Sequence, residues 1–147
     1  MTTVRQLLAR KGHALWSIGP DSTVREAVEM MARKDIGALL VMDGERLVGL
    51  IAERHYARNV VLKGKTSATT PVREAMDMRP VTTAPQQSVE ECMAIMSETR
   101  VRHLPVLVDG RVIGVISIGD LVQSVIGDQK VTIRHLENYI HGNGAAL

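Results

Sequence analysis

The chain is poor in aromatic residues and in cysteine. Its 147 residues include no phenylalanine, and its whole aromatic set is Trp16, Tyr56 and Tyr139. A stacking platform for single-stranded nucleic acid needs more aromatic rings than this. Cys92 is the one cysteine, so an internal disulfide is excluded and nothing points to an oxidising compartment.

Long apolar runs and a strong net charge are missing too. No stretch approaches the roughly 18 unbroken apolar residues that argue for a membrane span, and the N-terminal sequence lacks the pattern of a signal peptide. The net charge of +2 comes from dispersed Lys and Arg residues, unlike the basic surface of a nucleic-acid-binding protein. We therefore expect a cytoplasmic globular protein without membrane or nucleic-acid partners.

The chain contains an internal repeat with an offset of 65 positions. Identical residues recur at this offset, as Pro20 and Pro85, Val24 and Val89, Gly49 and Gly114, and Ile51 and Ile116 show. Self-similarity of this kind outranks local propensity as evidence for the architecture. We therefore expect two copies of one structural unit.

Each copy begins a helix at the same point. Thr23 and Glu26 have the spacing of an N-terminal capping box, and Ser88 and Glu91 repeat that spacing. The helix that follows carries an apolar stripe, and Cys92 stands in this stripe where the first copy has an alanine. Cys92 is therefore interpreted as a packing residue.

A β-hairpin follows each of these helices. Apolar runs at residues 38–42 and 47–51, and again at 103–108 and 112–116, flank turns that contain an Asp-Gly pair. Pro105 indicates an edge position, because proline cannot donate to a ladder. A short strand before each first helix (15–18, 81–83) and a second helix after each hairpin (54–62, 119–126) complete a β-α-β-β-α unit.

The predicted fold class is α/β (α+β), with two such units packed through small mixed sheets with pseudo-two-fold symmetry. Residues 1–66 form the first repeat with a lead-in helix, residues 71–127 the second, and residues 128–147 a helical tail. The tail carries Ile133, Leu136 and Ile140 at helical spacing, and Gly142 is placed to end it. This stripe either covers the chain's own core or packs on a second chain.

The second copy has a recognisable motif. It reads R-H-L-P-V-L-V-D-G-R-V-I-G-V-I-S-I-G-D-L from Arg102 to Leu121. This motif, within a tandem from about Val4 to Ile126, resembles a pair of cystathionine-β-synthase (CBS) domains, a Bateman module, of the stand-alone bacterial type. The resemblance implies a homodimeric regulatory module without chemistry of its own. It would sense an adenine nucleotide, such as AMP, ADP, ATP or NAD(H), and modulate an unknown partner protein.

Ser117 and Asp120 are candidates for a nucleotide site. They lie at the predicted start of a helix, where free N–H groups and the helix dipole favour phosphate, and a carboxylate can accept from both ribose hydroxyls. Ser-x-x-Asp is also an ordinary capping box, so a structural role stays open. The resemblance adds further residues to this main cleft: Ile118, Ile36, Gly37, Ala38, Trp16 and Lys11. Trp16 as a core residue and Lys11 as a solvated charge are the alternatives.

A second cleft should use the start of the corresponding helix in the first copy. There Ala52 and His55 replace the hydroxyl and the carboxylate, so the ribose-binding pattern is lost. The resemblance places Arg102 and His103 in this cleft, and Arg54 lies nearby. A second phosphate, an acidic partner and no ligand at all are the open alternatives.

A dimerisation scaffold that has lost nucleotide binding is the main alternative function. An enzyme is not expected, because the five histidines show no zinc-binding spacing and the chain has no nucleophile elbow or phosphate loop. We predict no catalytic residue, no metal site and no required cofactor.

Overall fold

The computed structural model describes residues 2–140, so the predicted tail end at His141 and Gly142 lies outside the described residues. The first unit contains β1 (Ser17–Ile18), α2 (Val24–Lys34), β2 (Ala38–Asp43), β3 (Arg46–Ala52) and α3 (Glu53–Tyr56), which a π-helical turn (Ala57–Val61) continues. The second contains α5 (Val89–Thr99), β4 (His103–Val108), β5 (Arg111–Ser117) and α6 (Ile118–Asn138), and short helices α1 (Val4–Lys11) and α4 (Val72–Ala75) precede the two units. The predicted mixed α/β fold of two repeated units is confirmed.

Helices α2 and α5 begin and end alike. The side chains of Thr23 and Ser88 each accept a hydrogen bond from the N–H three residues ahead, at 3.1 and 3.0 Å. Both helices end at a residue in the left-handed conformation, Asp35 at φ 52° and Arg100 at φ 59°. The predicted N-caps are confirmed, and these equivalent ends matter for the clefts described below.

The two sheets differ at their first strand. In the first sheet β1 lies parallel to β2, which pairs antiparallel with β3, whereas the second sheet has β4 and β5 and only one parallel bridge, at Thr83. Pro105 explains the difference, because it occupies the position of Leu40. The Leu40 N–H donates to the Trp16 carbonyl at 3.2 Å, and proline has no N–H to donate. The predicted strand at 81–83 is therefore reduced to one pairing.

The lead-in helices are exchanged between the units. Val4, Leu7 and Leu8 of α1 pack into the core of the second unit, with residues of α5, β4, β5 and α6. Val72 and Ala75 of α4 pack into the core of the first unit. The predicted grouping of α1 with residues 1–66 follows chain order, whereas its packing is with the second unit.

The repeated glycines make room for these exchanged helices. A Cβ on Gly114 would lie 2.7 Å from Cδ2 of Leu8, and one on Gly49 would lie 2.5 Å from Sδ of Met76 and 2.7 Å from the Asp77 carbonyl oxygen. Neither glycine has a positive φ. Space, rather than backbone conformation, is therefore the reason for glycine at both positions.

Cys92 lies in the core of the second unit, fully buried. Its thiol is 3.3 Å from the Thr83 hydroxyl, and burial raises the pKa of the thiol. A buried thiol with a raised pKa carries little reactive thiolate at neutral pH. The predicted packing role of Cys92 is confirmed.

Helix α6 is continuous where two helices were predicted. It runs from Ile118 to Asn138 without a break, and the Thr2 hydroxyl donates to the Asp128 carboxylate at 2.9 Å. Every residue from 128 to 140 is exposed, so this part of α6 does not cover the chain's own core. Of the helices within residues 2–140, none is both long enough and apolar enough to cross a membrane.

Candidate functional site

A cleft of about 350 Å³ lies between the two units, which contact each other through β3 and β5. Its lining includes seven of the eight residues predicted for the main cleft: Lys11, Trp16, Ile36, Gly37, Ala38, Ser117 and Asp120. The exchange of α1 brings Lys11 here, because α1 ends beside β5 of the second unit. Residues of both units therefore line this cleft.

Asp120 is held by the start of α6. Its Oδ2 accepts from the backbone N–H of Ser117 at 2.8 Å, and its own N–H donates to the Ser117 hydroxyl at 3.1 Å. This is a complete capping box, so the structural role that the sequence left open is present. The carboxylate accepts through Oδ2, and Oδ1 has no partner among the described residues.

Lys11 neutralises this carboxylate. Its Nζ lies 2.5 Å from Oδ2 of Asp120 and 2.6 Å from the Val115 carbonyl oxygen. Lys11 is thus part of the cleft rather than a solvated charge at the end of α1. An ammonium group at this point can remain paired with Asp120 or pair with an incoming phosphate.

Trp16 is not a core residue, which corrects that alternative. Its side chain is 42% exposed, and Nζ of Lys34 lies 4.1 Å from the ring centroid. The ring stands at the edge of the main cleft because the Trp16 backbone pairs with β2 while the side chain points away from the core. An exposed indole beside a cleft can stack on a planar ligand.

A wider, more open cavity of about 920 Å³ continues from the main cleft along α6. The two cavities share Lys11, Asp35, Ser117 and Asp120 in their linings, and the wider one adds Arg10, Gly119 and Gln123. Ser124 also lines it, and its buried hydroxyl has no hydrogen-bond partner within residues 2–140. Arg10, Lys11 and the N-terminus of a long helix border this extension together with the carboxylates of Asp35 and Asp120. The side formed by α1 and the helix N-terminus is the part that suits an anion.

The second cleft is larger and strongly basic. Its volume is about 960 Å³, and its lining includes four arginines, Arg54, Arg58, Arg100 and Arg102. Nη1 of Arg54 donates to the Arg100 carbonyl at 2.7 Å, which connects the two units across the cleft. Glu53 is the acidic residue in this lining. The cleft therefore favours an anionic ligand without offering a counterpart of Asp120.

Two residues lie elsewhere than predicted. The His55 side chain does not line the second cleft, because its Nδ1 accepts from the Ala52 N–H at 2.9 Å and so replaces a carboxylate as helix cap. Ile118 was placed in the main cleft, but it lines the second cleft instead. Neighbouring helix residues point about 100° apart, so Ile118 turns away from the side occupied by Ser117 and Asp120.

His103 lies between the two clefts and lines both. A Cβ on Gly37 would lie 3.4 Å from its ring, so this glycine packs directly against the imidazole. Burial, together with the positive charges of Arg54 and Lys11, lowers the pKa of His103 to about 4. The ring is therefore neutral at pH 7. A phosphate in either cleft would raise that pKa.

Sequence reasoning missed Arg58, Arg100 and Asp35. Arg58 follows Arg54 by four residues in a helical segment, and this spacing places both on one face. Asp35 and Arg100 are equivalent in the repeat, and both are left-handed helix ends that line a cleft. Applying the 65-residue offset to the helix ends would have found this pair, one acidic and one basic.

Comparisons with known proteins agree with this architecture. The family model "CBS domain" matches residues 4–61 and 67–127. A putative signal-transduction protein with CBS domains from Burkholderia ambifaria is 49% identical, with a TM-score of 0.84 over 87% of this chain and 96% of that one. The CBS-domain containing protein ATU1752 from Agrobacterium tumefaciens is 35% identical, with a TM-score of 0.80 over 84% and 98%. The mitochondrial CBS domain-containing protein CBSX3 of Arabidopsis thaliana is 34% identical over 96% of this chain and 73% of its own length. The chain therefore belongs to the CBS-domain family and contains a pair of CBS domains.

Proposed function

We propose that this protein is a regulatory module that binds an adenine nucleotide in its main cleft. CBS domains are commonly regulatory and nucleotide-binding. The observation that carries the proposal is a cleft of about 350 Å³ between the units, with Asp120 and the start of α6 at its mouth. This volume lies within the usual range of roughly 300–1,000 Å³ for small-molecule sites.

Each part of the nucleotide has a matching surface in the proposal. The ribose hydroxyls donate to Asp120, whose Oδ1 has no hydrogen-bond partner within residues 2–140. The base enters beside Gly37 and Ala38, which leave space, with the exposed Trp16 ring at the edge. Each of these contacts uses a residue that faces the cleft.

The phosphates point along α6 in this arrangement. Lys11 and Arg10 lie on the α1 side of the wider cavity, and Gly119 offers a backbone N–H in the first turn of α6. This cavity is large enough for more than one phosphate group. We therefore expect ADP or ATP to bind more tightly than AMP.

A thermal-shift panel with AMP, ADP, ATP, NAD⁺ and NADH tests the proposal. A ligand at a hundred times its Kd adds about 2.7 kcal/mol to the free energy of unfolding, which is roughly 5–10 °C in Tm for a chain of this size. The variant Asp120→Asn keeps an acceptor for the helix cap but loses the charge, and it should lose most of this shift. His55→Ala is the matched control, because His55 caps the equivalent helix outside both clefts.

A dimerisation scaffold without nucleotide binding is the second candidate. This candidate is favoured because Oδ2 of Asp120 already accepts hydrogen bonds from the Ser117 N–H and from Nζ of Lys11. If none of the five nucleotides moves the Tm, the scaffold replaces the sensor. If a nucleotide moves it equally in the wild type and in Asp120→Asn, the ligand binds elsewhere. Quenching of Trp16 fluorescence supplies a second readout for the main cleft.

We further propose that the module works as a homodimer and acts on a partner protein without a catalytic step. A ligand shifts a conformational equilibrium only through its different affinities for the two states. Coupling free energies of about 1–3 kcal/mol are typical. Residues of both units line the main cleft. A nucleotide that contacts both units can therefore bind one relative placement of the units more tightly than another, which supplies the required difference in affinity.

A further inference from the structure

Helix α6 presents, from Val122 onward, an apolar seam that nothing in residues 2–140 covers. Its members recur at alternating steps of four and three residues: Val122, Ile126, Gln129, Ile133, Leu136 and Ile140. Exposure of the apolar members rises along the helix, from 44% at Val122 to 58% at Leu136 and 59% at Ile140. We call this set the tail seam.

The spacing of the tail seam is that of a coiled coil. Residues that alternate by four and three repeat every 3.5 residues on average, which keeps one narrow stripe facing a partner helix. Each heptad has two seam positions. One holds isoleucine three times in succession, at Ile126, Ile133 and Ile140, and the other holds Val122, Gln129 and Leu136. Gln129 is the polar member of the tail seam.

The charges beside the seam select a second copy of this chain as the partner. Lys130 and Glu137 follow two successive isoleucines of the seam by four residues each, so they flank it on the same side. Neither residue takes part in an ion pair within the described part of the chain. When two copies lie antiparallel, each Lys130 faces the partner's Glu137, and two equivalent ion pairs form.

A parallel pair offers no such match. There, the positions of Lys130 and Glu137 face the partner's Val125 and Thr132, which carry no charge. The antiparallel register that pairs the charges also packs Ile133 against the partner's Leu136, at the centre of the contact. One two-fold axis generates all of these contacts, as in an isologous dimer.

We propose that residues 129–140 of two copies pair as a short antiparallel coiled coil. An isolated helix of this length is marginal in water, because its first turn is costly to form. Here the helix is already nucleated, since the first turns of α6 are packed in the fold through Leu121 and Ser124. The pairing places the two CBS modules at opposite ends of the joined helices.

Sedimentation equilibrium of the full chain and five variants tests this proposal. Ile133→Glu should abolish the dimer. Lys130→Glu and Glu137→Lys each convert two attractive pairs into two repulsive ones and should each weaken the dimer roughly tenfold, at up to about 1 kcal/mol for each pair. The double variant Lys130→Glu with Glu137→Lys should restore the wild-type dissociation constant. Arg134→Glu reverses a charge outside the seam and is the matched control.

Each contrary outcome identifies another arrangement. A dimer that Ile133→Glu leaves unchanged is held by the CBS modules alone and overturns the proposal. A dimer that Ile133→Glu breaks while both charge variants leave it intact is parallel, which overturns the antiparallel register. A monomeric wild type means that the seam binds another protein or nothing. Far-UV circular dichroism, recorded at a concentration at which every chain is monomeric, should be the same for all variants and shows that the fold itself is intact, as expected for exposed positions.

Discussion

Leu8 and Gly114 allow a direct test of the exchanged lead-in helix. Leu8 is 1% exposed in the core of the second unit, and truncation of such a leucine to alanine costs about 2–5 kcal/mol. In Gly114→Ala the new Cβ would lie 2.7 Å from Cδ2 of Leu8. Overpacking of this kind typically costs about 1–3 kcal/mol.

The double variant should be more stable than the two single losses predict. Leu8→Ala removes the methyl groups that Gly114→Ala would meet, and the new methyl fills part of the cavity. We therefore expect the combined loss to fall short of the sum by at least about 1 kcal/mol, within the range for residues in contact. Urea denaturation with linear extrapolation measures all four free energies of unfolding, provided that each transition is two-state.

The control for this double-mutant cycle combines Leu8→Ala with Gly49→Ala. A Cβ on Gly49 would meet Met76 and Asp77 rather than Leu8, so these two losses should add within about 0.5 kcal/mol. Additivity of Leu8→Ala with Gly114→Ala would show that α1 does not lie on β5. The exchange of lead-in helices would then be wrong.

Two further predictions concern His103 and the second cleft. Because burial lowers the pKa of His103 to about 4, the unfolded chain takes up a proton first as the pH falls below 6.5. The free energy of unfolding should therefore decline as the pH falls from 6.5 to 4. The Tm should decline less over this range in His103→Gln than in the wild type. Equal slopes of Tm against pH in the two proteins would contradict the assigned pKa. Arg102→Gln should weaken pyrophosphate binding in the second cleft about tenfold or more, the usual effect of losing a charged hydrogen bond, whereas Asp120→Asn should not. Isothermal titration calorimetry measures both, and a wild type that binds no pyrophosphate would contradict the anion site.

The repeat made much of the fold accessible from the sequence. Helix caps depend on residues three positions apart, so Thr23 and Ser88 could be recognised as helix starts without any tertiary information. The hairpins were accessible for the same reason, since strand alternation and turn residues are local. The two walls of the main cleft followed from the family resemblance once the register of the repeat was known.

Contacts between distant segments were not accessible in the same way. Chain order suggested that α1 belongs to the first unit, and only the packing of Leu8 against Gly114 places it on the second. His55 was placed in a cleft, because sequence cannot show that its ring turns back to the Ala52 N–H. The continuity of α6 was missed because Gly127 and the polar residues after it resemble a helix end.

The exchange of α1 and α4 means that neither CBS repeat is a self-sufficient building block. A polypeptide with one repeat alone would expose the apolar surface that the lead-in helix of the other repeat covers. It would need that helix from another molecule to complete its core. Severing the loop before Pro71 should, for the same reason, leave two fragments that stay together, each completing the interior of the other.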